Sequence, residues 1–310
     1  MLQYLIILLD DTSTSFCHYE TPKTTPKLIP LEILRQGIRL GMMENLMIQY
    51  VYPDDELPQE YTEVIESIDH SKIKPFGNNA DIVVMNGLDG IRDDVVAVPV
   101  VLRIGKQDLF DHIDAIVEKM DNFTRLNIVL TDIHTFSEED FNSYKTVLGK
   151  LSKKIEQMYV EGKSPQLNIL TDRMMLNEMN NCGAGDKSIT LAPNGKFYIC
   201  PAFYYENETD CVGDLEHGLD IKNKHLYQLD HAPICTHCDA FQCKRCIWLN
   251  RKTTLEVNTP SHEQCVLSHL ERNTSRELLH NIRKHGTFLP EQEEIKEINY
   301  LDPFDKRDEW

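Results

Sequence analysis

What this 310-residue chain lacks first is a long apolar run. No stretch approaches the roughly 18 apolar residues that a membrane span needs, so no membrane-spanning helix is expected. The opening segment, Met1 to Asp11, is apolar only briefly, has no basic region ahead of it and ends in two aspartates. It reads as a buried strand, not an export signal. Basic residues are also scarce: 32 Lys and Arg face 50 Asp and Glu, giving a net charge of −18. Such a chain repels a phosphate backbone, which excludes a general nucleic-acid role. With 41% hydrophobic and 26% charged residues the composition is otherwise that of an ordinary soluble protein. The expected location is cytoplasmic, with neither nucleic acid nor membrane as partner. In that reducing compartment disulfides do not account for nine cysteines. The sequons at Asn122, Asn207 and Asn273 are then without consequence.

Residues 1–175 alternate short apolar runs with amphipathic segments. Strands are expected at Tyr4–Leu9, Met47–Val51, Asp81–Met85, Ala97–Leu102, Leu126–Leu130 and Leu167–Leu170. Several are continuously apolar, as in strands covered on both faces. Helices are expected at Leu31–Glu44, Pro58–Ile68, Leu109–Met120 and Glu138–Tyr159. Strand–helix alternation of this kind predicts an α/β domain with a mainly parallel sheet. Three strands end in an acidic residue: Asp10, Asp132 and Asp172. These could line a site at the carboxyl ends of the strands or cap the helices that follow.

The chain changes character near Asn180. Short hairpin-like pieces follow, among them Ser188 to Cys200, with Pro193-Asn194-Gly195 at the turn. A helix is expected from Cys265 to about Arg283, and the tail, 286–310, is polar and acidic.

Eight of the nine cysteines lie in this second part: Cys182, Cys200, Cys211, Cys235, Cys238, Cys243, Cys246 and Cys265. Within it, Cys235-Thr-His-Cys238 and Cys243-Lys-Arg-Cys246 are two CxxC knuckles four residues apart. A tight CxxC turn lets two thiolates reach one metal, so the pair is a strong metal signal. Thiolates select zinc, copper(I) or iron–sulfur clusters. A four-residue gap strains a single tetrahedral site. Eight thiolates divide into two sets of four, which suits two [4Fe–4S] clusters or two zinc ions.

The cysteine pattern resembles the SPASM domain of radical S-adenosylmethionine peptide maturases. That domain carries a cysteine, 9–15 residues, G-x4-C, a tight four-cysteine run and a last cysteine. Here Cys182 is followed by Gly195-Lys-Phe-Tyr-Ile-Cys200, the run at 235–246, and Cys265. Cys182-Gly-Ala-Gly185 and Pro193 to Pro201 are similar to the family's opening hairpin. The run is CX2CX4CX2C where the family has CX2CX5CX3C. The whole chain looks closest to the CXXX repeat peptide maturases. The resemblance implies a degenerate (β/α) partial-barrel-like domain (residues 1–178), a cysteine-rich SPASM-like domain with a short hairpin and helices (179–285), and the tail (286–310). It implies two auxiliary [4Fe–4S] clusters for electron relay or substrate ligation. One would be held by Cys182, Cys200, Cys211 and Cys246, the other by Cys235, Cys238, Cys243 and Cys265. It implies as partners a cysteine-repeat precursor peptide and a separate radical enzyme or accessory protein.

The family's radical chemistry also needs CxxxCxxC just after the first strand. Here that loop holds one cysteine, Cys17, followed by His18, and no CxxxCxxC occurs anywhere. A standard S-adenosylmethionine-cleaving site cannot be built from this sequence, which leaves S-adenosylmethionine doubtful as a cofactor. The chain reads as a maturase or as its cluster-bearing subunit. The rival readings are a non-catalytic adaptor folded around two Zn²⁺ ions and a simple cluster-bearing redox protein. Cys17 is expected to be an ordinary loop cysteine. His237, between ligand cysteines, is placed either against a cluster sulfur or in solvent.

Overall fold

A computed structural model describes residues 1–75, 79–90 and 96–297. Part of the expected acidic tail, 298–310, lies outside the described residues. The chain is α/β and forms two compact units, each drawn from two stretches of sequence.

The first unit comprises Met1–Val84 and Cys182–Ala232. Its centre is β1 (Tyr4–Leu8), flanked by β2 (Met47–Val51) and β8 (Ser188–Leu191). Both pairings are parallel, with Tyr4 opposite Met47 on one side and Ser188 on the other. β3 (Ser71–Lys74) continues the sheet beyond β2, and β4 (Ile82–Asn86) follows it through Ile73↔Ile82. On the other edge β9 (Phe197–Tyr198) folds back antiparallel to β8, which is the expected hairpin. The apolar run of β1 is explained by its place: Leu5, Ile7 and Leu8 are fully buried. Each such side chain contributes about 1.5–3 kcal/mol by leaving water. Helix α1 (Leu31–Met43) lies close on this sheet, and a Cβ at Gly41 would come 2.6 Å from Ile48 Cδ1. Helix α2 (Gln59–Ile65) anchors through Tyr61, whose hydroxyl donates to Ile29 O at 2.7 Å.

The second unit comprises Met85–Asn181 and Pro233–Trp310. Strands β5 (Val100–Ile104), β6 (Arg125–Leu130) and β7 (Gln166–Leu167) pair in parallel. All of β5 is buried, and β6 alternates. Against them stand α3 (Lys106–Lys119), α4 (Glu138–Val160), the short α5 (Thr171–Met175), α7 (Ile247–Thr254) and α8 (His262–Arg283). Capping boxes start the two long helices: Ser137 with Asp140 for α4, and Ser261 with Gln264 for α8. Among the described residues no helix is long and apolar enough to cross a membrane.

Two expectations differ from the structure. The strand at Leu167–Leu170 stops at Leu167. Asn168 takes the next ladder positions with its side chain, accepting from Ile128 N at 2.9 Å and donating to Ile128 O at 2.9 Å. Thr171 Oγ1 bonds Leu167 N, and α5 begins. β3 has no counterpart among the expected strands, because Ser-Lys-Ile-Lys is short and polar; its Lys72 is buried by pairing with Glu66.

Candidate functional site

In the second unit the CxxC run forms two tight turns. Cys238 N donates to Cys235 O at 3.1 Å, and Cys243 N to Ala240 O at 2.9 Å. Backbone N–H groups then aim at sulfur: Ala240 N lies 3.4 Å from Cys238 Sγ and Arg245 N 3.4 Å from Cys243 Sγ. The second needs Arg245 in the left-handed region, at φ 46°. Such donors stabilise thiolates. Cys265 enters from the first turns of α8. Together Cys235, Cys238, Cys243 and Cys265 line one cavity of 380 Å³.

Burial is the main influence on these thiols. It pushes Cys235 up to about 12, with Cys243 adding to the rise and the Arg245 guanidinium opposing it. Cys238 is pushed up to about 11, burial again leading. Cys243 is raised for the same reason. At neutral pH such thiols stay protonated unless a cation takes the place of the proton.

The turns are fixed from outside. Asp239, next to Cys238, receives Arg272 Nε and Nη2, each at 2.6 Å, and Arg173 Nη2 at 3.2 Å. Arg272 itself is only 1% exposed. His269 Nε2 lies 3.5 Å from Cys238 Sγ, and His269 is buried. His237 is exposed at the cavity rim. His269 is thus the histidine on the sulfur, and sequence reasoning missed it. Its signal is its place four residues after Cys265, which puts both on one face of a helix. Deeper on α8, Glu271 accepts from Tyr144 at 2.7 Å, and burial pushes its carboxyl up to about 7.

Cys246 caps α7 in the second unit and is half-buried. Cys182, Cys200 and Cys211 belong to the first unit. Cys200 caps the short helix α6 (Pro201–Glu206). Its thiol is pushed up by burial and by the charges of Cys182 and Cys17, against backbone N–H groups of Ala202 and Phe203. Cys211 sits near Tyr198, whose hydroxyl accepts from Asn194 at 2.7 Å and donates to Glu208 O at 2.9 Å. The aromatic residues Phe197, Tyr198, Phe203, Tyr204 and Tyr205 are all core.

Of the three strand-end aspartates, two are structural. Asp132 accepts Lys106 N at 3.0 Å, capping α3, and Asp172 pairs with Arg125 at 2.8 Å. Asp10 is 1% exposed, and its Oδ2 has no hydrogen-bond partner among the described residues.

No protein-family description matches the chain, and no curated protein matches it. Solved structures do. Hexahistidine-tagged anSMEcpe with bound AdoMet matches at TM-score 0.66 and 13% identity, over 92% of this chain and 100% of that one. The fold is that of anSMEcpe. Native anSMEcpe with bound AdoMet and Cp18Cys peptide matches at TM-score 0.64 and 12% identity, over 91% and 99%. Identity this low extends the likeness to the fold alone. It supports the partial-barrel expectation with a mainly parallel sheet, and it gives no support to setting S-adenosylmethionine aside.

Proposed function

We propose that this chain is an iron–sulfur protein of a ribosomal peptide modification system, similar to the CXXX repeat peptide maturases. The observation that carries the cluster reading is the cavity shared by Cys235, Cys238, Cys243 and Cys265. A tetrahedral zinc site, with Zn–S near 2.3 Å, holds its sulfurs about 3.8 Å apart. Four thiols around a space of 380 Å³, many times the share of one water, fit a larger inorganic group. The donor set fits a [4Fe–4S] cluster, which would supply one-electron transfer or an open iron for a substrate thiol. The chain's own part is to provide thiolates, to aim Ala240 and Arg245 N–H groups at them, and to close the site from water with α8.

The second cluster would draw on Cys182, Cys200, Cys211 and Cys246. We assign residues 1–178 to peptide and partner binding, 179–285 to the clusters, and 286–310 to a tail. The peptide reading is supported by the fold shared with a structure holding AdoMet and a peptide. AdoMet binding belongs to the proposal for the same reason, with Asp10 Oδ2 the buried polar atom awaiting a partner at the end of β1. Cleaving AdoMet is a separate matter, since the loop after β1 offers one cysteine. A separate radical enzyme would then supply it.

The deciding experiment is iron and acid-labile sulfide content of anaerobically purified protein, with its visible spectrum and titrations with AdoMet and a cysteine-repeat peptide. About eight iron and eight sulfide per chain support the reading. Two zinc ions, a featureless spectrum and failed reconstitution with iron and sulfide replace it with the structural adaptor. Clusters without peptide binding leave the redox protein.

A further inference from the structure

Three arginines are buried around the cysteine turns of the second unit: Arg173 is 5% exposed, Arg245 3% and Arg272 1%. A buried guanidinium is costly unless negative charge lies beside it. Arg173 and Arg272 share one carboxylate, that of Asp239. This leaves one positive charge in excess next to Cys238. Arg173 is fixed there, its guanidinium 4.5 Å from the Phe241 ring centroid. The buried carboxyl of α8, Glu271, accepts from Tyr144 and is held toward its neutral form by burial. Arg245 belongs to the cavity wall itself. It lines the space with Cys235, Cys238, Cys243 and Cys265, and its left-handed backbone, at φ 46°, keeps its N–H on Cys243 Sγ. In a chain of net charge −18, this gathering of buried cations around thiols runs against the overall balance. It suits a cavity whose occupant is anionic.

We infer that Arg173 and Arg245 set the reduction potential of the iron–sulfur cluster held in this cavity, stabilising its reduced form. The inference rests on the reading of Cys235, Cys238, Cys243 and Cys265 as cluster ligands. Four thiolates leave an oxidised [4Fe–4S] cluster with net negative charge, and net charge and solvent exposure tune its potential. Reduction brings one electron from an external donor into the iron core. No bond forms or breaks, no proton moves, and the guanidinium groups stay charged throughout. The electron therefore adds negative charge beside two fixed positive charges in a poorly solvated site, where attraction is weakly screened. Lys244 is half-exposed and outside the cavity wall, so solvent screens its charge.

The test is a dithionite titration followed by paramagnetic resonance, on full-length protein purified anaerobically and reconstituted with iron and sulfide. The signal that Cys238→Ser lacks belongs to this cluster. Removing either guanidinium charge, in Arg245→Gln or Arg173→Gln, is expected to lower its reduction equilibrium constant about tenfold or more, about 59 mV for one electron. Arg245→Lys and Arg173→Lys keep the charge and are expected to stay within about threefold of wild type, as is the control Lys244→Gln. A wild-type potential in either loaded Gln variant overturns the inference and leaves the cluster reading standing. So does an equal fall in Lys244→Gln, or in the Lys variants, which would trace the effect to packing and not to charge. Absence of clusters from wild type overturns both. If Arg245→Gln takes up no cluster, Arg173→Gln decides, since Arg272 still holds Asp239 there; an unshifted potential in it overturns the inference.

Discussion

Replacing Arg272 with Met tests whether the outer ion pair holds the cysteine turns. Arg272 is 1% exposed and gives Asp239 two parallel hydrogen bonds of 2.6 Å. Removing one partner of a buried pair costs about 3–5 kcal/mol. Two features lower that figure here. The Asp239 side chain is 35% exposed, and Arg173 remains as a second partner at 3.2 Å. The expected loss is therefore about 2–3 kcal/mol. The assay is urea unfolding of reconstituted Arg272→Met, Asp239→Asn and the double variant. The cycle isolates the pair, and a coupling of at least about 1 kcal/mol is expected. Since Asp239 adjoins Cys238, Arg272→Met is also expected to lose iron faster to a chelator. A coupling below about 0.5 kcal/mol, with unchanged iron release, would refute the claim that α8 holds the turns through this contact.

Cys238→Ser is expected to lose about half of the bound iron and sulfide; unchanged metal content would sink the cavity as a ligand site. Glu271 carries a pH dependence with a definite sign. Its carboxyl rises from 4.5 to about 7 on folding, so the folded state binds the extra proton between those values. That stability is fully present below about pH 4.5 and is lost as pH rises through 7, by about 3 kcal/mol. Glu271→Gln should flatten the fall in unfolding free energy between pH 5 and 8, and an unaltered slope would remove Glu271 as its source. Gly37→Ala should destabilise the first unit by about 1–3 kcal/mol, because the new Cβ meets the Leu191 side chain where α1 crosses β8. An unchanged melting curve would show that the helix can withdraw without cost.

Much of the fold was legible because local signals agreed with global packing. Apolar runs marked β1 and β5, and the structure buries them. Ser137 and Ser261 start the two long helices, each with a capping partner three residues on, and the second helix opens at His262, three residues before its expected start at Cys265. What no local pattern encodes is pairing over distance. β8 lies beside β1 in parallel, although some 180 residues separate them. The end of β7 was hidden for a related reason: Asn168 satisfies Ile128 with its side chain, a substitution for backbone that hydropathy cannot show.

The cysteines divide along the same line. Within the first CxxC turn, spacing fixes geometry, since two residues suffice to bring Cys235 and Cys238 to one cavity and to aim the Ala240 N–H at sulfur. Between distant segments spacing fixes nothing. That Cys265 shares a cavity with Cys235, Cys238 and Cys243 depends on where α8 starts, and the Ser261 cap sets that start. The same helical register brings His269 to Cys238 and Arg272 to Asp239, so one capping residue places a thiol, an imidazole and a guanidinium around one turn.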